Sequence, residues 1–185
     1  MQSAFKLVIF ITASAGIIRV SRESLRSYRS HGFYRFFAWE AVLTLMVLNL
    51  EHAFYKPAGL HQVGAGLCLA ISTFLALHGF LALRRVGKPD NRRTDPALLW
   101  VEKTTVLVAV GAYKYIRHPL YCSFFFVTWG TFLLFPSLPG SALVGIATIS
   151  LIMAAMAEEK ENIQFFGAAY CDYMKRTKRF IPFVV

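Results

Sequence analysis

The hydrophobic and polar positions of this chain form long apolar blocks separated by short polar segments. A membrane-spanning helix needs roughly 20 mostly apolar residues, whereas soluble helices and strands repeat apolar residues at every second, third or fourth position. The chain follows the first of these patterns. It therefore predicts an all-α fold, an integral membrane helical bundle with about five transmembrane helices, from blocks at about residues 4–18, 36–50, 60–83, 120–135 and 141–157.

Two of these blocks carry extra information. The second is short for a span and contains Glu40, an acid that must find a partner if it lies at membrane depth. The fourth and fifth are joined by PSLPG, whose prolines and glycine end a helix and predict a tight helical hairpin. The first block is long for the apolar region of a signal peptide, so we expect no cleavable signal.

Charge indicates how the blocks cross the bilayer. The chain is 56% hydrophobic and carries a net charge of +10, which in a soluble protein would suggest nucleic-acid binding. Alternating crossings, however, place 18 of the 20 basic residues on one side, and among the loops opposite only Lys56 is basic. This positive-inside distribution predicts an outer N-terminus, a cytoplasmic C-terminus and basic loops that face anionic lipids, with no nucleic-acid partner.

We interpret the chain as a single membrane domain over residues 1–185. Three N-terminal spans (1–83) precede a cytoplasmic loop and lead-in segment (84–118), the helical hairpin (119–157) and a cytoplasmic tail helix (158–185). The cysteines, Cys68, Cys122 and Cys171, show neither a disulfide framework nor the spacing of a zinc site, so no metal is predicted.

The first candidate for chemistry is the sequence GAYKYIRHPLYCSFFF, residues 111–126. Pro119 suits the first turn of a helix, and it holds His118 away from the α region. The His118 ring and the Tyr121 hydroxyl would then lie near free backbone N–H groups that favour a carboxylate or phosphate. The alternative is simple anchoring, because Tyr and Arg are enriched at the membrane–water boundary.

The second candidate is the sequence AEEKEN, which ends the fifth block. Glu158 and Glu159 follow an uninterrupted apolar run, so at least one carboxylate should lie at membrane depth or against protein. In a hairpin, Arg117 and His118 reach the depth of Glu158. The alternatives are a plain ion pair with Arg117 and the solvated end of a helix.

The third candidate is the expected tail helix, residues 159–178. Its aromatic residues recur at steps of three and four, which predicts an amphipathic helix. Such a helix lies on the membrane surface or folds back over a pocket. The basic sequence KRTKR and then Pro182 end it.

Two of these stretches together resemble a known family. The sequence LVAVGAYKYIRHPLY followed, after a hairpin, by EEKENIQFFGAAYCDYMKRTKRFIP resembles the isoprenylcysteine carboxyl methyltransferase family of integral membrane methyltransferases and their bacterial relatives. The resemblance covers roughly residues 105–182 and rests on two motifs, their order and the hairpin between them. It implies an enzyme that binds S-adenosylmethionine from the cytoplasm and takes a lipophilic substrate from the bilayer.

The resemblance also implies roles for individual residues. Arg117 and Glu158 would be catalytic, with Arg117 positioning either the methyl donor or the acceptor. Residues 84–118 would include a cofactor segment. The expected contacts of S-adenosylmethionine are Thr105, Val106, Leu107, Val108, Tyr113, His118, Pro119, Tyr121 and Glu158.

One departure from the family pattern bears on the acceptor. Family members that methylate prenylated cysteine carry an arginine one helical turn before the cofactor-facing glutamate, and this chain has Ala154 there. An isoprenylcysteine-like carboxylate, a phospholipid amine, a thiol and another small lipophile therefore all stay open. Membrane sterol reductases, which use NADPH and share the RHPxY sequence, and a non-enzymatic membrane scaffold are the alternative functions.

Overall fold

Helices form the framework of the protein. The computed structural model describes residues 2–52, 59–90, 93 and 98–181, so Lys56 and Pro182 lie outside the described residues. No strand is present in this part of the chain, and the predicted all-α fold is confirmed. The helices are α1 (Gln2–Ser21), α2 (His31–Leu48), α3 (Leu60–Val86), α4 (Pro119–Leu134), α5 (Leu138–Phe166) and α6 (Ala168–Arg176).

The helices differ in their ability to cross a bilayer. By length and composition α1, α3 and α5 are able to span it, with mean hydropathies of 1.7, 2.0 and 1.9. Helix α4 is apolar but has only 16 residues, and α2 carries His31, Arg35 and Glu40. The helical membrane bundle is therefore supported, whereas the count of five crossings stays a prediction.

Small residues bring the helices close together. Helix α2 packs along α5, where Ala38, Ala41, Ala147, Ala154 and Ala155 are all 5% exposed or less. Helix α3 packs along α4 with glycines at the contact. Lipid offers little hydrophobic driving force between helices, so close backbone approach and van der Waals contact hold such a bundle together.

Several polar groups inside the bundle have partners on other helices or loops. The Ser14 hydroxyl lies 3.0 Å from each carboxylate oxygen of Glu40, which gives the acid of α2 the partner expected of it. The Ser72 hydroxyl donates to the carbonyl of Ser123 at 2.8 Å, and Asn49 donates to the carbonyl of Thr131 at 2.8 Å. Each bond satisfies a group that would be costly to leave unpaired in hydrocarbon.

The tail differs from its prediction. The helix expected over residues 159–178 is divided, because α5 continues nine residues past the end of the apolar block to Phe166. Glu158 to Phe166 contains good helix formers, so the change from apolar to polar residues does not end the helix. Gly167 ends it with φ 59° and ψ −134°, a conformation that practically only glycine adopts. The turn at Gly167 directs α6 back across the end of the bundle.

Replacing Gly167 with alanine should destabilise the fold. The added Cβ meets nothing within 4 Å, so the cost comes from backbone strain and should be about 1–2 kcal/mol. Gly145→Ala is the matched control, since Gly145 lies within α5 with equal space and should gain slightly from helix propensity. Thermal unfolding in detergent measures both variants, and equal midpoints would contradict the role of Gly167.

Candidate active site

The site is built on the first turn of α4. Pro119 is the first helical residue and His118 caps the helix with φ −124° and ψ 58°, as the sequence predicts. The imidazole of His118 is buried and stacks on the Tyr121 ring with centroids 5.4 Å apart. This turn therefore presents His118 and Tyr121 side by side.

The segment after α6, residues 177–181, is named here the C-terminal strap. It runs parallel to residues 115–118, pairing Ile116 with Lys178. The N–H of Arg117 donates to the carbonyl of Lys178 at 2.8 Å, and the N–H of Lys178 donates to the carbonyl of Tyr115 at 3.0 Å. The strap thus satisfies backbone groups just before α4 and fastens the tail to the site.

Glu159 joins the strap to both helices. Its carboxylate accepts from Arg117 Nε at 2.8 Å and from Arg179 Nη2 at 2.6 Å, and it lies 3.3 Å from His118 Nε2. From the sequence, Glu158 is expected at the depth of Arg117 and His118, with an ion pair to Arg117 as one alternative. The ion pair exists, but the second acid makes it, because one residue along an α-helix turns a side chain by about 100°.

Glu158 faces a polar cleft instead. Its carboxylate is 3.9 Å from His118 Nδ1, beyond hydrogen-bond distance, and its side chain is 22% exposed. The cleft encloses about 610 Å³, including the space at its mouth. Seven of the residues expected at the site line it: Leu107, Val108, Tyr113, Arg117, His118, Tyr121 and Glu158.

The other expected residues lie beside the cleft. The Thr105 hydroxyl donates to the carbonyl of Lys88 at 3.0 Å, and Val106 is partly exposed. Pro119 is fully buried against α3 near Gly79. None of these three is among the described residues that line the cleft, so any effect they have on a ligand passes through the backbone or through packing.

Helix α6 covers the cleft with its aromatic side chains. Tyr170 and Tyr173 of α6 line the cleft together with Phe166 at the end of α5, and the Tyr173 hydroxyl donates to the carbonyl of Tyr113 at 2.6 Å. Burial raises the pKa of Tyr113 well above its usual value, so its hydroxyl stays protonated. Of the two arrangements left open for the tail, folding back over a pocket is the one observed.

Two charged residues of the cleft were not anticipated. Arg93, in the predicted cytoplasmic loop, is 2% exposed and donates to Asn162 Oδ1 at 2.8 Å. Its guanidinium carbon lies 4.6 Å from the Phe165 ring centroid. No local sequence pattern around Glu102 indicated that it would line the cleft. Both depend on contacts between segments more than 60 residues apart, which periodicity along the chain does not reveal.

Glu102 belongs to a buried charge network at the start of α2. Arg35 Nη1 donates to Glu102 at 2.5 Å, and His31 lies between Glu102 and Glu161. Burial opposes ionisation of Glu102, but the charges of Arg35 and His31 outweigh it and lower the pKa of that carboxyl to about 2. At neutral pH Glu102 is therefore an anionic wall of the cleft.

The cleft thus combines three kinds of group. Two acidic residues, three basic residues and several aromatic rings line one cavity. The acidic residues are Glu102 and Glu158, and the basic residues are Arg93, Arg117 and His118. Among the described residues, no group of three or more His, Cys, Asp or Glu is placed to hold a metal ion. The chemistry suits a zwitterionic ligand with an aromatic part.

An apolar groove lies behind the cleft. It encloses about 980 Å³, including its opening, and it is lined by α3, α4, α5 and the C-terminal strap. Phe125, Phe126, Leu151, Phe180 and Ile181 supply most of its bulk. Tyr121 is the described residue that lines both cavities.

A helical membrane bundle with a polar cleft beside an apolar groove defines a class of membrane protein that is able to hold a polar and a lipophilic ligand side by side. Residues 69–165 match the isoprenylcysteine carboxyl methyltransferase (ICMT) family. The chain belongs to this family, and the resemblance identified from its motifs is confirmed. The match begins within α3, earlier than the motifs indicated, and ends within α5.

Individual relatives agree with this assignment. The chain is 36% identical over 190 residues to protein-S-isoprenylcysteine O-methyltransferase of Saccharomyces cerevisiae, covering 96% of this chain and 74% of that protein. It is 32% identical to the Rattus norvegicus protein of the same name, over 70% of this chain and 42% of that one. It is also 32% identical to methanethiol S-methyltransferase of Pseudomonas deceptionensis, over 66% and 44%. In the last two cases the match spans less than half of the relative.

The two adjacent acids should differ in their effect on stability. Glu159→Gln leaves Arg117 and Arg179 without their carboxylate, and we expect a loss of about 2–3 kcal/mol, less than for a fully buried pair because Arg179 is partly exposed. Glu158→Gln, the matched control, should change stability by less than about 0.5 kcal/mol. Thermal unfolding of the ligand-free protein in detergent tests the difference, and the reverse order would contradict the assignment.

Proposed function

We propose that this protein transfers a methyl group from S-adenosylmethionine to a lipophilic acceptor at the cytoplasmic face of the membrane. One observation carries the proposal: in a chain of this family, a cleft containing both charges and aromatic rings adjoins a groove whose described lining residues are uncharged, with Tyr121 between them. The cleft holds the methyl donor, and the groove holds the acceptor.

The residues of the cleft fit the donor. S-adenosylmethionine supplies a methyl group on a positively charged sulfur, and it also carries an ammonium, a carboxylate and an adenine. Glu158 and Glu102 suit the positive groups, while Arg93 and His118 suit the carboxylate. Phe166, Tyr170 and Tyr173 offer rings against which adenine stacks.

The protein contributes alignment and exclusion of water to the reaction. The Tyr173–Tyr113 hydrogen bond closes α6 over the cleft, and Glu159 holds the C-terminal strap against the first turn of α4. Both contacts fix the cleft wall next to the groove. In-line displacement at a methyl group depends mainly on such positioning in a water-poor site.

The class of acceptor follows from the groove and from the relatives. The names of the related proteins given above identify their acceptors as protein-S-isoprenylcysteine and methanethiol. In this chain Ala154, the position of the missing arginine, is fully buried and packs in one cluster with Tyr121. The groove that takes the lipophilic acceptor therefore receives no positive charge from position 154 of α5.

Calorimetry of the detergent-purified chain with S-adenosylhomocysteine tests the donor site. We expect binding of this product analogue, and we expect Glu158→Ala and His118→Ala each to weaken it about 10-fold or more, as loss of a charge-assisted hydrogen bond does. Asp172→Asn, on the exposed face of α6, is the control and should bind normally.

Titration with NADPH separates the proposal from a reductase. Binding of NADPH without S-adenosylhomocysteine would favour reduction over methyl transfer. Binding of neither compound by the folded protein would overturn the donor site.

Labelling of Cys171 tests the proposed orientation. Cys171 is exposed on α6, whereas Cys122 is buried in α4 and Cys68 lies in α3. A membrane-impermeant maleimide should label the protein in inverted vesicles but not on intact cells, and Cys171→Ser should abolish the signal. Labelling of Cys171 on intact cells would place the cleft on the opposite face.

A further inference from the structure

The hydroxyl of Tyr121 is sealed in the wall between the cleft and the groove. The side chain is 4% exposed, and the hydroxyl has no hydrogen-bond partner among the described residues. Buried hydroxyls are normally hydrogen-bonded, because an unmade bond costs free energy. An exception at the boundary of two ligand cavities indicates a bond that a ligand completes.

The groove itself favours an uncharged acceptor. None of the described residues that line it carries a charge, so a carboxylate would lack a cation and an ammonium would lack an acid. The hydroxyl of Thr148, in the same lining, is also buried without a partner in the described part of the chain. A neutral thiol, apolar apart from one weakly polar sulfur, matches this lining.

A neutral thiol must lose its proton when it is methylated, and a base is therefore required. Glu158 and Tyr121 both line the cleft. The His118 ring stacks on Tyr121, and its Nδ1 lies 3.9 Å from the Glu158 carboxylate, so Glu158 is the acid on the cleft side of Tyr121. Glu159 is unsuited to this task because Arg117 and Arg179 already occupy its oxygens. Among the described residues no arginine forms an ion pair with Glu158, and its contact with His118 is 3.9 Å long. Because a carboxylate has two oxygens, one oxygen of Glu158 can face the donor while the other accepts the proton.

We propose that Tyr121 is a catalytic residue that relays the proton of a lipophilic thiol from the groove to Glu158, an inference that rests on the proposed methyl transfer. The acceptor sulfur forms a bond to the methyl carbon while the bond from that carbon to the donor sulfur breaks, leaving its electron pair there. The thiol proton passes to the Tyr121 oxygen as the phenol proton passes to the Glu158 carboxylate. Glu158 then releases it to water at the mouth of the cleft.

The test compares two thiols with Tyr121→Phe in the full chain, reconstituted in lipid nanodiscs. With a long-chain alkanethiol, largely protonated at neutral pH, we expect kcat to fall about 100-fold, the usual contribution of a positioned acid–base group. With an aromatic thiol of similar size that is already ionised, kcat should fall less than about threefold, because no proton is relayed. Tyr115→Phe, on an exposed tyrosine outside both cavities, is the matched control.

Binding of S-adenosylhomocysteine provides a readout that is independent of turnover. Calorimetry should give an affinity for Tyr121→Phe within about threefold of the wild type, because the substitution keeps the ring that lines the cleft and removes only the hydroxyl. An equal loss of kcat with both thiols would overturn the relay, since it would indicate a packing role. Methylation of a prenylcysteine carboxylate but of neither thiol would overturn the acceptor class while leaving methyl transfer standing. Failure of the wild type to bind S-adenosylhomocysteine would instead overturn the proposed function itself.

Discussion

The carboxylate of Glu159 is the interaction on which the arrangement of the site depends. It is 4% exposed and connects three separate parts of the chain: Arg117 before α4, the strap residue Arg179, and α5 itself. A buried acid is tolerated only when its charge is matched, and here the guanidinium groups of Arg117 and Arg179 provide the match. This pairing fixes the position of the C-terminal strap. Arg117 and Arg179 must both reach the Glu159 carboxylate, and the strap must therefore lie against the first turn of α4.

The cleft is a consequence of that fixed point. With the strap held against α4, α6 lies over one end of the bundle, and its side chains Tyr170 and Tyr173 form one wall of the cleft. Arg35 and His31 at the start of α2 hold Glu102 on another wall, and Arg93 adds a cation through Asn162. Structural ion pairs thus surround the cleft. Of its two acids, Glu102 is paired with Arg35, whereas no arginine among the described residues pairs with Glu158. Of the two adjacent glutamates, Glu159 therefore stabilises the fold, whereas Glu158 faces the cleft.

The parts of this structure that local chemistry determines could be predicted from the sequence. Apolar blocks predicted helices, PSLPG predicted the hairpin between α4 and α5, and His118–Pro119 predicted where α4 begins. The features that depend on helix phase and on distant contacts could not be predicted in this way. The choice between Glu158 and Glu159 is a rotation of about 100°, and the extension of α5 ends only at a glycine with positive φ. Arg93 and Glu102 enter the cleft through partners more than 60 residues away, which no local pattern encodes.

The position of the C-terminal strap also has a consequence for the order of biogenesis. Arg179 follows α5 in the chain, so it is synthesised after the last long apolar helix has been delivered to the membrane. The backbone pairing of Lys178 with residues 115–117 must likewise wait until this segment has emerged from the ribosome. Insertion of the bundle and completion of the cleft are therefore separate events in time. A nascent chain in which α5 has emerged but residues 178 and 179 have not still lacks the contacts that close the cleft.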